Sequence, residues 1–198
     1  MYRLIETIRL EDGTFGNLNY HQQRMNHAFG QLYLNSIALD LEKILVEDTY
    51  PAYGLFKCKV VYDLSNHVIQ YEPYTIRQVI SLKMVEQNEL VYNFKYEDRL
   101  QLNQAFNKRK RCDDVLIIKE GLVTDTSYAN IVFKKKNGEW VTPSSCLLKG
   151  TMRQFLIDTN RIKEEVVSGN DVSKFESYKL INSMLRWDSA ERDVCNIV

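Results

Sequence analysis

The sequence predicts a mixed α/β (α+β type) protein of two small α/β domains, residues 1–74 and 75–198, and three observations carry that prediction. Short β-rich runs alternate with segments whose apolar residues recur at helical spacing. Pro73 ends one of the β runs, and residues 72–77 read as a linker before the β-rich pattern resumes. The 198 residues, 44% of them hydrophobic, supply enough apolar side chains for packed cores.

In the first half, residues 2–9 read as a strand and Glu11-Asp12-Gly13 as the turn that ends it. Asn19 is expected to cap a helix starting near Tyr20, with Met25, Phe29 and Leu32 on its apolar side, and a second helix is expected over 36–47. Residues 54–62 form a strand in which Cys58, Val60 and Tyr62 share one face and Lys57 and Lys59 the other. The turn Asp63-Leu64-Ser65-Asn66 leads back into 67–71 as a hairpin.

In the second half, β structure resumes at 79–85. A helix follows over 97–108, with Leu100, Leu102, Ala105 and Phe106 as its apolar positions. A strand at 114–118 turns at Lys119-Glu120-Gly121 into strands at 122–124 and 130–134. Asn137-Gly138 makes a hairpin turn into Trp140-Val141-Thr142, and a helix over 151–158 opens just after Gly150.

Composition excludes several function classes. Lys+Arg and Asp+Glu are equal at 26, so there is no cationic excess of the kind that neutralises nucleic-acid phosphates. The one basic run, Lys108-Arg109-Lys110-Arg111, is followed at once by Asp113 and Asp114 and reads as a solvated helix end. No segment approaches the roughly 18 apolar residues needed to span a bilayer. Glu6 stands where a secretory leader needs an apolar run. Cys58, Cys112, Cys146 and Cys195 are scattered, with no CxxC and no histidine close by, which argues against a zinc site or a disulfide framework. No metal is expected, and a reducing cytoplasm fits.

Three local features carry chemistry. Asn93-Phe94-Lys95-Tyr96-Glu97-Asp98-Arg99 sets a lysine among aromatics, where desolvation disfavours its charged form. Within Gly121-Leu122-Val123-Thr124-Asp125-Thr126-Ser127-Tyr128-Ala129-Asn130, polar residues interrupt a β-rich region. Leu148-Lys149-Gly150-Thr151-Met152-Arg153 opens a helix whose first amides suit a phosphate. Alone, the first reading of each is the plain one: a surface lysine, turn residues and an ordinary helix start. Together, a reactive lysine, an acid and a phosphate seat are what pyridoxal phosphate requires.

These segments resemble the class IV aminotransferase-like proteins, the fold-type IV pyridoxal-phosphate enzymes. That group includes branched-chain aminotransferases, D-amino-acid aminotransferases and aminodeoxychorismate lyases. The resemblance runs in order through Ile5-Glu6-Thr7, His21-Gln22-Gln23-Arg24, Lys95-Tyr96-Glu97-Asp98-Arg99 and residues 121–130. It continues through Thr142-Pro143, Leu147-Leu148-Lys149-Gly150-Thr151-Met152-Arg153 and Leu180-Ile181-Asn182-Ser183. It implies a fold like that of D-amino-acid aminotransferase and pyridoxal 5′-phosphate as cofactor.

By the same resemblance Lys95 is the Schiff-base lysine and Arg24 a phosphate contact whose guanidinium fork suits that anion. His21 is a structural hydrogen-bonding residue. Asp125 stands where the family usually has a glutamate against the pyridine nitrogen, one methylene shorter. Thr151 and Met152 offer backbone amides to the phosphate, and Ser183, or its neighbour Asn182, a further phosphate contact.

The chain is short for the family, and Leu100 stands where aminotransferases often have a tyrosine, five positions after the lysine. The Lys95-x-x-x-Arg99 spacing is nearer to the lyases. The implied activity is that of 4-amino-4-deoxychorismate lyase, which releases pyruvate and leaves 4-aminobenzoate for folate synthesis. The alternatives are an aminotransferase acting on branched-chain or D-amino acids, and a shortened relative that binds without turnover. A small-molecule amine substrate, a homodimer, and no nucleic-acid or membrane partner complete the expectation.

Overall fold

The alternation at the start of the chain builds β1 (Leu4–Glu11) in the computed structural model, which describes residues 2–34 and 36–198. Asp12 and Gly13 both take positive φ, 47° and 75°, as a two-residue hairpin turn requires, and β1 returns as the short β2 (Thr14–Phe15). The first helix, α1 (Leu18–Leu32), begins before the expected position. Its cap is Asn17 in the left-handed region, not Asn19, because Asn17 O accepts the N–H groups of Tyr20 and His21.

The second helix, α2 (Leu41–Val46), is shorter than the 36–47 expected, because the Asp40 carboxylate takes the Lys43 N–H and sets the start there. Asn35 lies outside the described residues. β3 (Leu55–Tyr62) and β4 (His67–Pro73) complete an antiparallel sheet in the order β2-β1-β3-β4. Pro73 is tolerated as the last residue of β4 because β4 is an edge strand. Cys58, Val60 and Tyr62 are buried on one face of β3, where Met25, Ala28 and Phe29 of α1 pack on them. Lys57 and Lys59, on the other face, pair with Glu72 and Glu97.

The second half begins with β5 (Leu82–Glu86), three residues later than expected, because the Asp113 carboxylate takes the N–H groups of Ile80 and Ser81 and holds that stretch off the sheet. The helix expected over 97–108 shortens to α3 (Leu100–Phe106) followed by a 3-10 turn over Asn107–Arg109. Tyr96 bridges Leu4, and Glu97 N donates to Arg3 O, so this stretch stays extended along β1.

β6 (Asp114–Lys119) pairs in parallel with β5 and antiparallel with β7 (Leu122–Thr126). Then come β8 (Asn130–Lys134), β9 (Trp140–Pro143), α4 (Thr151–Asp158), β10 (Lys163–Glu165), β11 (Ser177–Ile181) and β12 (Arg192–Asp193). Five of these strands form a sheet in the order β10-β9-β8-β11-β12. Its central strands are buried on both faces: Val132 and Ile181 pack under Met152 and Leu156 of α4, while Ile131 and Phe133 join the core containing Leu116, Val123 and Leu180.

The chain forms two units, Met1–Ile76 with Phe94–Asp98, and Arg77–Asn93 with Arg99–Val198. Among the described residues no helix is long and apolar enough to cross a membrane, and no cluster of three or more His, Cys, Asp or Glu side chains is arranged to hold a metal ion. All four cysteines are free thiols.

Candidate active site

In the first unit, the chemistry gathers where α1 lies on β1. Glu6 alternates in phase with Leu4 and Ile8, so it points into the core and is fully buried. His21 and Arg24, one turn apart on α1, share a helix face and meet it. His21 Nδ1 lies 2.6 Å from Glu6 Oε2, Arg24 Nε donates to Oε1 at 3.0 Å, and Arg24 Nη2 donates to Oε2. Burial by itself would raise the Glu6 carboxyl, but the charge of Arg24 and the His21 hydrogen bond reverse that and hold it at about 2. Burial lowers the pKa of His21, and the charges of Arg24 and Lys95 act in the same direction. His21 therefore serves Glu6 as a neutral donor, and Arg24 is the countercharge.

Lys95 is half-buried, and its backbone is fixed by Ile5 N donating to Lys95 O at 2.9 Å. Its neighbours Phe94 and Tyr96 pack against the core of the first unit. Lys95 thus lies between Phe94 and Tyr96 on a segment that runs extended beside β1, and the helix expected directly after it starts only at Leu100.

In the second unit, Asp125 lies within β7 and is buried; it is not a turn residue. Its Oδ1 accepts from Asn130 Nδ2 at 2.7 Å and its Oδ2 from Leu148 N at 2.9 Å. Burial raises its carboxyl to about 6, against the pull of these donors and of the Arg153 charge. Asn130 Nδ2 also donates to Leu148 O at 2.8 Å, which ties β7 and β8 to the loop that enters α4.

Gly150 is the extended N-cap of α4, and a Cβ there would overlap Asn130 Oδ1. The first bond of the helical ladder is donated by Gln154 to Gly150 O, so the amides of Thr151 and Met152 lie ahead of it. Ser183 follows β11, whose last residue, Ile181, is in register with Asn130. That pairing brings the turn at 182–183 to the end of the sheet where Asp125 and the start of α4 lie. Asn182 Oδ1 caps that turn by accepting from Met184 N and Leu185 N, and Ser183 is half-buried beside it.

Glu6 and Asn130 have roles here that the sequence alone does not assign. The signal for Glu6 was an acid in phase with core residues of a strand. For Asn130 it was an amide heading the apolar run Ile131-Val132-Phe133. Cys146 is half-buried, and burial together with the nearby Asp125 charge pushes its thiol up to about 11, so it is no thiolate nucleophile at neutral pH.

A buried acid beside a helix start, in a chain of paired sheets with an aromatic-flanked lysine, defines a class that comparison with known proteins identifies. Residues 3–189 match the family model for amino-transferase class IV. The chain belongs to the class IV aminotransferase family.

It is 33% identical over 186 residues to an uncharacterised protein of Haemophilus influenzae Rd, an alignment covering 93% of this chain and 98% of that one. A crystal structure from Haemophilus somnus 129PT, provisionally named a 4-amino-4-deoxychorismate lyase, is 33% identical with a TM-score of 0.87 and covers 93% of this chain and 97% of its own. The branched-chain amino acid aminotransferase of Escherichia coli shares the fold with a TM-score of 0.76 at 14% identity, and 99% of this chain covers 76% of that one.

Proposed function

We propose that the protein is a pyridoxal-phosphate-dependent lyase that releases pyruvate from 4-amino-4-deoxychorismate and leaves 4-aminobenzoate. The observation that carries this reading is the buried Asp125 carboxylate, tied by Asn130 and Leu148 to the entry of α4. The likeness to the Haemophilus somnus structure, nearly end to end on both chains, supports the choice of reaction.

The donor set suits the cofactor. Thr151 and Met152 supply amides at the start of an eight-residue helix for a phosphate, and Gly150 adds no side chain of its own where Asn130 Oδ1 packs against it. Arg24 and Ser183 are the further phosphate contacts. Glu6 accepts from Nε and Nη2, one edge of the Arg24 guanidinium, and so fixes the orientation of the group. Asp125 is the acid for a ring nitrogen. Bound, pyridoxal phosphate supplies the electron sink that amino-acid side chains lack.

The chain's own work is then proton handling and orientation. Lys95 is the point of covalent attachment, and its Nζ accepts a proton from the substrate and later returns one, as base and then acid. Asp125, its carboxyl raised by burial to about 6, would serve, when ionised, as the countercharge that holds a proton on the ring nitrogen of the bound cofactor. Leu100, 61% exposed, offers no hydroxyl five residues after Lys95, which fits the lyase better than the aminotransferase reading. The same reading makes the protein a cytoplasmic homodimer that supplies 4-aminobenzoate to folate biosynthesis, takes a small-molecule amine, and has no nucleic-acid or membrane partner.

Supplying aminodeoxychorismate alone, and separately a branched-chain or D-amino acid with 2-oxoglutarate, separates the readings. Pyruvate formed without added keto acid is the expected result. Amino transfer without lyase turnover would make the protein an aminotransferase, and a cofactor-loaded protein idle on both would make it a binding relative.

A further inference from the structure

Asn130 makes three contacts with one side chain. Its Nδ2 donates to Asp125 Oδ1 at 2.7 Å and to Leu148 O at 2.8 Å, and its Oδ1 occupies the space where a side chain at position 150 would stand. Leu148 N closes the ring by donating to Asp125 Oδ2 at 2.9 Å. The amide is at the first position of β8, an interior strand, and is 5% exposed, so water cannot replace these bonds cheaply. A carboxylate on β7 and the loop entering α4 are thus joined twice, directly through Leu148 N and indirectly through the Asn130 amide, which also packs against Gly150 at the helix start.

We propose that Asn130 is a positioning residue that sets the spacing between Asp125 and the amides of Thr151 and Met152, and that Gly150 is glycine because Asn130 Oδ1 fills the place of its side chain. The inference rests on the proposed cofactor reading, which gives that spacing its use: one ligand must meet the acid with its ring nitrogen and the helix start with its phosphate. A ligand that spans both points depends on the spacing, whereas one that touches only the helix start does not.

The test compares pyridoxal phosphate with inorganic phosphate on the full-length apoprotein and on Asn130→Ala and Asn130→Asp. Loss of one buried partner corresponds to a roughly tenfold to hundredfold loss of pyridoxal-phosphate affinity, with inorganic phosphate affinity nearly unchanged. Asn130→Asp keeps the shape but turns a donor toward Asp125 into a second acid. The other charged or titratable groups acting on Asp125 are Arg153 of α4, whose charge favours ionisation, and Cys146 in the loop before it.

The pH below which pyridoxal phosphate ceases to bind should therefore rise in Asn130→Ala and rise further in Asn130→Asp; a merely structural loss would weaken binding equally at every pH. Gly150→Ala should lower the melting temperature of the apoprotein, and adding Asn130→Ala should restore part of that loss. Equal weakening of both ligands, unchanged affinities, or no coupling between positions 130 and 150 would each overturn the proposal. A wild-type protein that takes up no pyridoxal phosphate, or takes it at a lysine other than Lys95, would instead overturn the cofactor reading, and the spacing role would fall with it.

Discussion

Two buried carboxylates, Glu6 and Asp125, carry opposite linkages to pH, and each can be isolated by one substitution. Glu6 is held at about 2 against an ordinary 4.5, so its stabilisation is present above pH 4.5 and is lost as pH falls toward 2. The difference corresponds to roughly 3 kcal/mol. Asp125 is raised from 3.8 to about 6, so its contribution is full below pH 3.8 and is lost as pH rises through 6. Urea denaturation of the apoprotein across this range should show that Glu6→Gln removes the rise in stability between about pH 2 and 4.5. Asp125→Asn should remove the fall between about pH 4 and 6. At neutral pH Glu6→Gln should also cost roughly 3–5 kcal/mol, because it leaves the largely buried Arg24 charge without its counterion. Lys95 and Asp125 stand out in the sequence only together and through the family resemblance, since alone each reads as a surface lysine or a turn residue. Glu6 does not: an acid in a strand normally faces water, and only the helix bringing His21 and Arg24 onto it makes its burial tolerable.

Local signals set the bounds of β8 and α4 as expected, whereas α3 depends on distant partners and α1 and α2 on the caps Asn17 and Asp40, which the apolar spacing does not mark. β8 and α4 begin and end where the sequence placed them, at Asn130–Lys134 and Thr151–Asp158. The Asn137-Gly138 turn and Gly150 are signals contained in the sequence itself. α3 starts at Leu100 because Arg3 and Leu4, far off in sequence, keep residues 96–97 extended. α4 is held down by Met152 and Leu156 on Val132 and Ile181. Leu156 is fully buried, so Leu156→Ala should destabilise the fold by about 2–5 kcal/mol. It should also weaken pyridoxal-phosphate binding in the surviving folded protein, since α4 begins with the amides proposed for the phosphate; denaturant titration and cofactor titration read the two effects separately. Unchanged cofactor affinity would mean that the start of α4 is held by the Asn130 ring alone.

For the molecule as a whole, the first unit is discontinuous: Phe94–Asp98 returns to β1 after residues 77–93 have entered the second unit. Nothing local in Phe94-Lys95-Tyr96 announces this, since the bonds that fix it join Lys95 O to Ile5 N and Glu97 N to Arg3 O. The brevity noted for the family is shared: the chain covers 97% of the Haemophilus somnus structure but 76% of the Escherichia coli aminotransferase. Sedimentation equilibrium should give twice the chain mass, and a monomer that still turns over would remove the homodimer from the account. The most direct measurement is borohydride reduction of the cofactor-loaded protein followed by peptide mapping. A single pyridoxyl group on the peptide containing Lys95 is the expected result; a label on any other lysine, or none after loading, would contradict Lys95 as the attachment point.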